Sequence, residues 1–544
     1  MPLGGGASRP AFDLFISYAR VPDLERVRQL KCCLEAAGLA VWLDEAAVEN
    51  FEDITDGIVR GLRRVRAVLI YYSRAYLDRN ACQWELTSAL TAVQQSLGGP
   101  NRILVVNPEP GPEHIYPEDL RGALYRLVPG PSDPAGLQRL ATDIARHVRG
   151  CPGPLPMARP LMRPRWYPLA RSESRFVGRV ADIFRVNRLL HRGDHPATSG
   201  YFGLPAAQIT GMGGIGKTGL AIEYALRFGA TYPGGIFWLS APGDDPEGRT
   251  RSDEELGLVL LGQLRRVAAA AGLSDVEPTV EAIGGRLARA IERRGQRCLW
   301  IVDDLPSDLG EEAARRWFAP HPLMYTLVTT RGRRRYDKLA ASVHLDVLRP
   351  DEAYRLLTAY RLPATPSERA EAAGVAADLG FHTLALHVAG AALRLQRGLL
   401  SFAGFRVELA DPGQDALELA AQLSDDLPQN SRGSITATFL RSVRRLAWQP
   451  GEDLIVLASC LAAGSVSPAL VARALRMADG LDERAARHRA ALAFRQAEAL
   501  SLVEADDESD AWTVHPLISR TTRLHDPNPA RRSQILAALL ALAA

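Results

Sequence analysis

The sequence predicts a multidomain α/β protein, and three observations predict it. A chain of 544 residues exceeds one ordinary domain, and domains of roughly 100 to 200 residues divide it into three to five. Between Ala11 and Val106, short apolar runs alternate with amphipathic stretches at the spacing of a doubly wound parallel sheet. Near the middle, Gln208 to Leu220 (QITGMGGIGKTGL) places a glycine-rich loop between an apolar strand and a helix. Composition sets the outer limits. With 47% hydrophobic and 23% charged residues, the chain has enough apolar surface for a buried core. Its formal net charge of +3 is small and argues against a protein built as a nucleic-acid-binding surface. The cysteines (Cys32, Cys33, Cys82, Cys151, Cys298, Cys460) show no C-x-x-C spacing and no histidine partners at ligand distance, which argues against a disulfide framework or a zinc site. The N-terminus, MPLGGGASRP, lacks the charged and apolar regions of a signal peptide, and no apolar run approaches the ~20 residues that span a bilayer. The expected setting is cytoplasmic, with no membrane partner.

After a tail over residues 1–8, Ala11 to Tyr18 (AFDLFISY) reads as a buried parallel strand. A helix follows with Asp23 near its start and Val27, Leu30 and Leu34 on one face, ending around Gly38. A strand at Ala40 to Leu43, a helix from about Asp53 to Leu62, a strand at Val65 to Tyr72, a helix at Gln83 to Gln95 and a strand at Ile103 to Val106 complete the alternation. Ligands of such sheets bind beyond the carboxyl ends of the strands, where Ser17 could line the cleft, while Asp13 suits a structural role. Taken alone, Glu85 is a first-turn glutamate favourable to its helix dipole. From Cys151 to Tyr167 the chain carries Pro152, Pro154, Pro156, Pro160 and Pro164, a density that disfavours helix and predicts an extended spacer over 151–172.

The second module is organised around Gly211-Met212-Gly213-Gly214-Ile215-Gly216-Lys217-Thr218, which fits G-x-x-x-x-G-K-[ST]. Glycines let the backbone wrap closely enough for N–H groups to point at phosphate oxygens, and the helix beginning near Lys217 adds the positive end of its dipole. Lys217 is assigned to the β- and γ-phosphates and the Thr218 hydroxyl to Mg²⁺. The chain's lysines are only Lys31, Lys217 and Lys338; in a sequence that writes its positive charge as arginine, this loop keeps a compact ammonium. Strands are expected at Ala207 to Thr210, Gly235 to Leu239 and Cys298 to Val302, with helices over Thr218 to Arg227 and around Glu254 to Ala271. The apolar strand CLWIV delivers Asp303 to the metal opposite Thr218 and Asp304 to an attacking water. A further strand, Thr326 to Thr329, ends in Thr330-Arg331, and an arginine there can distinguish triphosphate from diphosphate.

Two family resemblances attach to these residues. Phe12 to Tyr18 (FDLFISY), Gly38 to Asp44 (GLAVWLD), Ser73 to Leu77 (SRAYL) and Cys82 to Leu86 (CQWEL) resemble the flavodoxin-like TIR (Toll/interleukin-1 receptor) domain over residues 9–150. In TIR domains that cleave NAD⁺ an acidic residue is catalytic, and the matching position is Glu85. The sequence departs from the pattern in the loop Glu45 to Glu52, which lacks the usual proline or glycine, and at Ala81, where a tryptophan often stands. From Phe176-Val177-Gly178-Arg179 onward the chain resembles the NB-ARC ATPases of the STAND class, through the phosphate loop, Val302-Asp303-Asp304, Thr329-Thr330-Arg331, Leu348 to Leu357, Gly380 to Leu386 (GFHTLAL) and Val514 to Ile518 (VHPLI). The resemblance implies a P-loop domain over 173–345, a helical domain over 346–435, a winged-helix domain over 436–520 and a C-terminal helix within 521–544. It also implies that His515 contacts the β-phosphate of ADP. Thr383 stands where the family has a proline near adenine, and Pro516 where it has an aspartate.

The resemblances imply a nucleotide-switched signalling protein: ADP holds it closed, ATP opens it, and self-assembly brings TIR domains together to cleave NAD⁺, in antiphage or innate immune defence. Two alternatives stand beside this. One is a TIR scaffold without catalysis; the other is a transcription regulator, for which no basic recognition helix stands out between Asp453 and Arg523. The trigger molecule is unknown. No repeat of 20 to 50 residues marks a sensor, so either the protein is naturally short or Arg532 to Ala544 begins a sensor domain.

Overall fold

The computed structural model describes residues 12–43, 62, 64–94, 100–122, 125–153, 155, 166–167, 176–191, 205–243, 251–273, 279–307, 309–332, 336–411, 417, 443, 446–461, 465–500, 502–505, 511–525 and 528–543. The loop expected at 45–52, most of the helix expected at 53–62 and most of the proline-rich stretch lie outside the described residues.

The N-terminal strands are β1 (Leu14–Tyr18), β2 (Val41–Leu43), β3 (Ala67–Tyr71), β4 (Ile103–Asn107) and β5 (Tyr125–Leu127). They form one parallel sheet in the order β2-β1-β3-β4-β5, the flavodoxin-like arrangement. Because side chains alternate along a strand, β1 feeds two cores. Leu14, Ile16 and Tyr18 join Val27, Leu30 and Leu34 of the helix Arg20–Ala36 on one face. Phe15 turns to the other, toward Leu86 and Ala89 of the helix Asn80–Gln94. That alternation places Ser17 on the same side as Phe15, facing the helix that carries Glu85. β5 and the helix Pro134–Gly150 add to the elements expected from sequence. The helix starts where physical chemistry favours it, with Pro134 in its first turn and the Asp133 carboxylate capping the N–H of Gly136.

The second sheet contains β6 (Trp166–Tyr167), β7 (Ala206–Thr210), β8 (Gly235–Ser240), β9 (Cys298–Leu305), β10 (Met324–Thr330) and β11 (Ala341–His344). Its order is β11-β7-β10-β9-β8-β6, again parallel throughout. β6 corrects the reading of the proline-rich stretch as spacer alone: Trp166 and Tyr167 pair with Ile236 and Phe237 at the edge of this sheet. The other end of the stretch is also fastened, since Leu155 N bonds the Val65 carbonyl. β9 is longer than expected and contains Asp303 and Asp304 instead of ending before them. The helix Lys217–Phe228 packs on β7, β9 and β10.

Helices Pro350–Thr358, Pro366–Asp378, Thr383–Leu395 and Phe402–Ala410 make the helical domain. The winged-helix unit follows, with helices Pro450–Cys460, Pro468–Asp479 and Glu483–Ala499. Its strands β12 (Ser465–Val466), β13 (Val503–Ala505) and β14 (Trp512–Val514) form an antiparallel sheet in the order β12-β14-β13. Helices Pro516–Leu524 and Pro529–Ala543 close the described chain. Among the described residues, no helix is long and apolar enough to cross a membrane.

Candidate functional site

The turn from β7 into the helix Lys217–Phe228 is the glycine-rich loop that the sequence reads as a phosphate loop. Gly211 has φ 140°, and a Cβ there would lie 2.6 Å from the Leu345 carbonyl oxygen, so only glycine fits. Gly214 has φ 74°, and a Cβ would meet His382 at 2.9 Å. The loop's carbonyls are taken up by protein donors. Lys217 Nζ donates to the carbonyls of Gly211 and Met212, both at 2.8 Å. The next three are reached from the helical domain: His382 Nε2 bonds the Gly213 carbonyl at 3.0 Å, Leu384 N the Gly214 carbonyl at 3.1 Å, and Thr383 Oγ1 the Ile215 carbonyl at 2.9 Å. Arg179 adds a second bond to Ile215 at 3.2 Å. With the carbonyls turned into the protein, the amide face is the one a phosphate takes.

The acidic side of this site comes from β9. Asp303 Oδ1 accepts from Thr218 Oγ1 at 2.8 Å and from Thr329 Oγ1 at 2.7 Å. Thr329 lies in the Thr329-Thr330-Arg331 stretch noted from sequence, which gave it no contact of its own; a register shift between Val328 and Thr330 falls at this point of the β10 edge. Asp304 sits in the left-handed region at φ 58°, which a short carboxylate tolerates, and its N–H bonds Thr329 Oγ1 at 2.8 Å. Arg331 pairs with Asp304 at 3.5 Å. Burial pulls the Lys217 ammonium down to about 7, with Arg331 pushing the same way, and pushes the Asp303 carboxyl up to about 6. The hydroxyl of Thr218 and the carboxylate of Asp303 are hard oxygen donors of the kind Mg²⁺ takes. Among the described residues no group of three or more His, Cys, Asp or Glu side chains could hold a metal, so a cation at Thr218 and Asp303 would take the rest of its shell from water or from ligand oxygens.

His515 caps the helix Pro516–Leu524: its Nδ1 accepts from Leu517 N at 3.2 Å, and its Nε2 bonds the Gly380 carbonyl at 3.0 Å. The His382 ring stands 5.4 Å away. His382 is therefore the histidine in contact with the phosphate loop, and His515 lies one ring behind it. Burial lowers the pKa of both rings; the His515 ring lowers that of His382 further, while the bond to the Gly380 carbonyl and the charge of Asp346 oppose the shift at His515 without reversing it. His382 and Thr383 both lie in GFHTLAL, so the departure from proline at 383 supplies a hydroxyl that the loop uses.

The first sheet carries the other cluster. Ser17 Oγ donates to Glu85 Oε2 at 2.5 Å and lies 2.6 Å from Tyr76 Oη, which in turn bonds the Cys82 carbonyl at 3.1 Å. Ser17 and Glu85, 68 residues apart, are brought together, and Tyr76 joins them. Tyr76 lies within SRAYL, so the segment was visible in sequence although the residue's contact was not. Ser17 and Tyr76 are fully buried, and Glu85 is 8% exposed. Asp13 has the structural role expected, accepting from Ala40 N at 2.9 Å and pairing with Arg66 at 3.0 Å. Trp42 packs on Phe15 with ring centroids 4.5 Å apart.

Parts of the chain are similar to known proteins. Residues 14–141 match the TIR domain family. The chain is 26% identical over 307 residues to the regulatory protein AfsR of Streptomyces coelicolor, covering 55% of this chain and 29% of that one. It is 28% identical over 228 residues to the AfsR of Streptomyces griseus, covering 41% and 21%. The chain thus spans less than a third of the length of these relatives. Among solved structures, a STAND protein with a tetratricopeptide repeat sensor from Pyrococcus horikoshii aligns at 15% identity and TM-score 0.29, over 68% of this chain and 46% of that one. CDC6P from Pyrobaculum aerophilum aligns at 10% identity and TM-score 0.28, over 69% and 97%. The chain thus carries a segment that matches the TIR domain family, followed by a P-loop α/β module with the aspartates of β9 and by helical and winged-helix units.

Proposed function

We propose that this is a nucleotide-switched signalling protein whose TIR domain cleaves NAD⁺ once ATP has replaced ADP and the chains have assembled. The observation that supports it most is the Glu85 carboxylate held by Ser17 at 2.5 Å on the sheet face of a TIR domain. In the reaction the bond between ribose C1′ and the nicotinamide nitrogen breaks, and its electron pair leaves with nicotinamide. The positive charge left on C1′ and the ring oxygen is stabilised by the carboxylate of Glu85, which also orients the ribose hydroxyls. Water then adds at C1′ and releases a proton. Nicotinamide leaves readily, so a second carboxylate acting as acid is not needed.

The phosphate loop supplies control. Lys217 and the loop amides bind the β- and γ-phosphates, and Arg331 reports the third phosphate. Thr218 and Asp303 hold Mg²⁺, which neutralises phosphate charge when bound. His382 and His515 connect the loop to the helical and winged-helix units. The biological setting proposed is defence, with an unknown trigger and with other copies of the chain as partners in the cytoplasm.

The test incubates purified protein with NAD⁺, with and without ATP, and follows nicotinamide release. The expected result is release that requires ATP and is lost in Lys217→Ala. Constitutive release unaffected by Lys217→Ala contradicts the switch, and no release under any condition contradicts the cleavage. The matches to regulatory proteins favour a second reading, in which assembly regulates another process and no NAD⁺ is consumed. It predicts ATP-dependent assembly without nicotinamide release.

A further inference from the structure

Two surfaces of the chain set unpaired charge beside unfilled space, and they are opposite in sign and in shape. The first is concave. Between the helices Pro468–Asp479 and Glu483–Ala499 of the winged-helix unit runs a groove of about 580 Å³. Ala472, Ala486 and Ala490 are among its lining, side chains too short to fill the space between two helix backbones. Arg473, Arg476 and Arg487 also line it, and all three are exposed. Arg487 is paired with Glu483 on its own helix, whereas Arg473 and Arg476 have no acidic partner among the described residues.

The second surface is convex. The helix Asp253–Ala270 packs on β8 and on the helix Val280–Arg294, beside the second sheet. It begins with Asp253 and Glu254, both exposed and without a basic partner among the described residues. Four residues after Glu254, on the same helix face, Leu258 is 69% exposed. Gly257 precedes it and Gly262 lies one turn on, and a Cβ added at either would meet nothing within 4 Å. Leu258 therefore stands as a bare knob beside two carboxylates. A single exposed leucine is ordinary on a protein surface. What singles this one out is the match: a leucine fills what alanines leave open, and each surface offers two unpaired charges of the sign that the other lacks. A nucleic-acid backbone would satisfy the arginines but leave the apolar floor unused.

We infer that the knob of one copy of the chain seats in the groove of the next, with Leu258 on the alanine floor and Asp253 and Glu254 against Arg473 and Arg476. Knob and groove lie on different parts of the chain. The contact is therefore head-to-tail, and it repeats from copy to copy until a ring closes or a filament grows. That it forms when ATP binds rests on the proposed nucleotide switch.

The test uses the full chain with ATP and reads native mass against protein concentration. Leu258→Asp removes the knob and should raise the concentration for half-assembly about 30-fold. Asp253→Arg/Glu254→Arg and Arg473→Glu/Arg476→Glu each set like charges face to face and should raise it about tenfold. An equal mixture of these two charge variants should assemble near the wild-type concentration, because in alternation every knob meets a groove of opposite sign. All the substituted side chains are exposed, and the melting temperature of each variant checks its fold. Should either charge pair fail to fold, Glu254→Arg and Arg476→Glu replace them in the same mixing test. Variants that assemble like wild type, or a mixture no better than its parts, overturn the contact alone. So does a wild-type affinity for a short DNA duplex that Arg473→Glu/Arg476→Glu loses while its assembly is unchanged, which assigns the groove to nucleic acid. A wild-type chain that stays monomeric with ATP at every concentration removes the assembly reading and this contact together.

Discussion

The phosphate loop and the Glu85 cluster sit on two parallel sheets of one chain, yet they are built in opposite ways. The loop is contiguous in sequence, rich in charge, and bonded on its carbonyl side by another domain. The Glu85 cluster gathers Ser17, Tyr76 and Glu85 from separate segments, with the Ser17 hydroxyl bonded both to the carboxylate and to the Tyr76 hydroxyl. Burial acts on both but does different things. At the loop it leaves an ammonium near 7 and a carboxyl near 6, groups whose charge a bound nucleotide and cation would restore. At Glu85 it closes the carboxylate in. In the proposed function, the first site receives a ligand and transmits its presence, and the second is withheld until it does.

The largest expected effect that sharpens this contrast is on nucleotide binding. Lys217→Ala removes the charged donor nearest the phosphates, and ATP affinity measured by titration calorimetry should fall about 10- to 100-fold or more. Affinity within threefold of wild type would show that the loop amides suffice and that the charge at this site is not organised for phosphate.

Much of this site was legible because its chemistry is local. Gly211 to Thr218 declares itself in eight consecutive residues, and the apolar strand before Asp303 delivers a carboxylate by position alone. Thr329 and His382 were not legible as contacts, since each reaches its partner through a bulge or from another domain. The fold shows the same division. The central strands announced themselves as apolar runs, whereas β5 is a three-residue edge strand with half-exposed Tyr125 and exposed Arg126 and Leu127, and so offers no such run. β6 is a two-residue strand among prolines, and its partner β8 lies some seventy residues away. Glu85 could be proposed only from resemblance, because its hydrogen bond to Ser17 crosses 68 residues.

A pH test probes the link between the loop and the winged-helix unit. The pKa values of His382 and His515 are held below the ordinary histidine value by burial. The unfolded chain therefore binds more protons than the folded one as pH falls through about 6.5, and stability is lost in that direction. Each ring contributes up to about 1.4 kcal/mol per pH unit until it protonates in the folded state. Thermal melting of the nucleotide-free protein should drop between pH 7 and 5, and His382→Gln should reduce the drop. A melting temperature that is flat over this range, or a slope unchanged in His382→Gln, would remove the histidine pair from the account.

The smallest expected effect concerns the positioning of Glu85. Tyr76→Phe keeps the ring in its buried place and deletes one hydroxyl, at a cost of about 0.5–1.5 kcal/mol. Nicotinamide release in the ATP-bound state should fall by roughly two- to tenfold through the maximal rate, with the fold and nucleotide affinity kept. A change in nucleotide affinity instead would mean that Tyr76 serves domain packing and not the carboxylate.

The central claim is that the carboxylate of Glu85 does the chemistry and the phosphate loop decides when. Its most direct test is nicotinamide release by Glu85→Gln in the presence of ATP, with native mass measured on the same sample. We expect assembly equal to wild type and release lowered by about 10²- to 10³-fold, since the amide cannot stabilise the developing positive charge. Release at the wild-type rate from the assembled Glu85→Gln protein would contradict it.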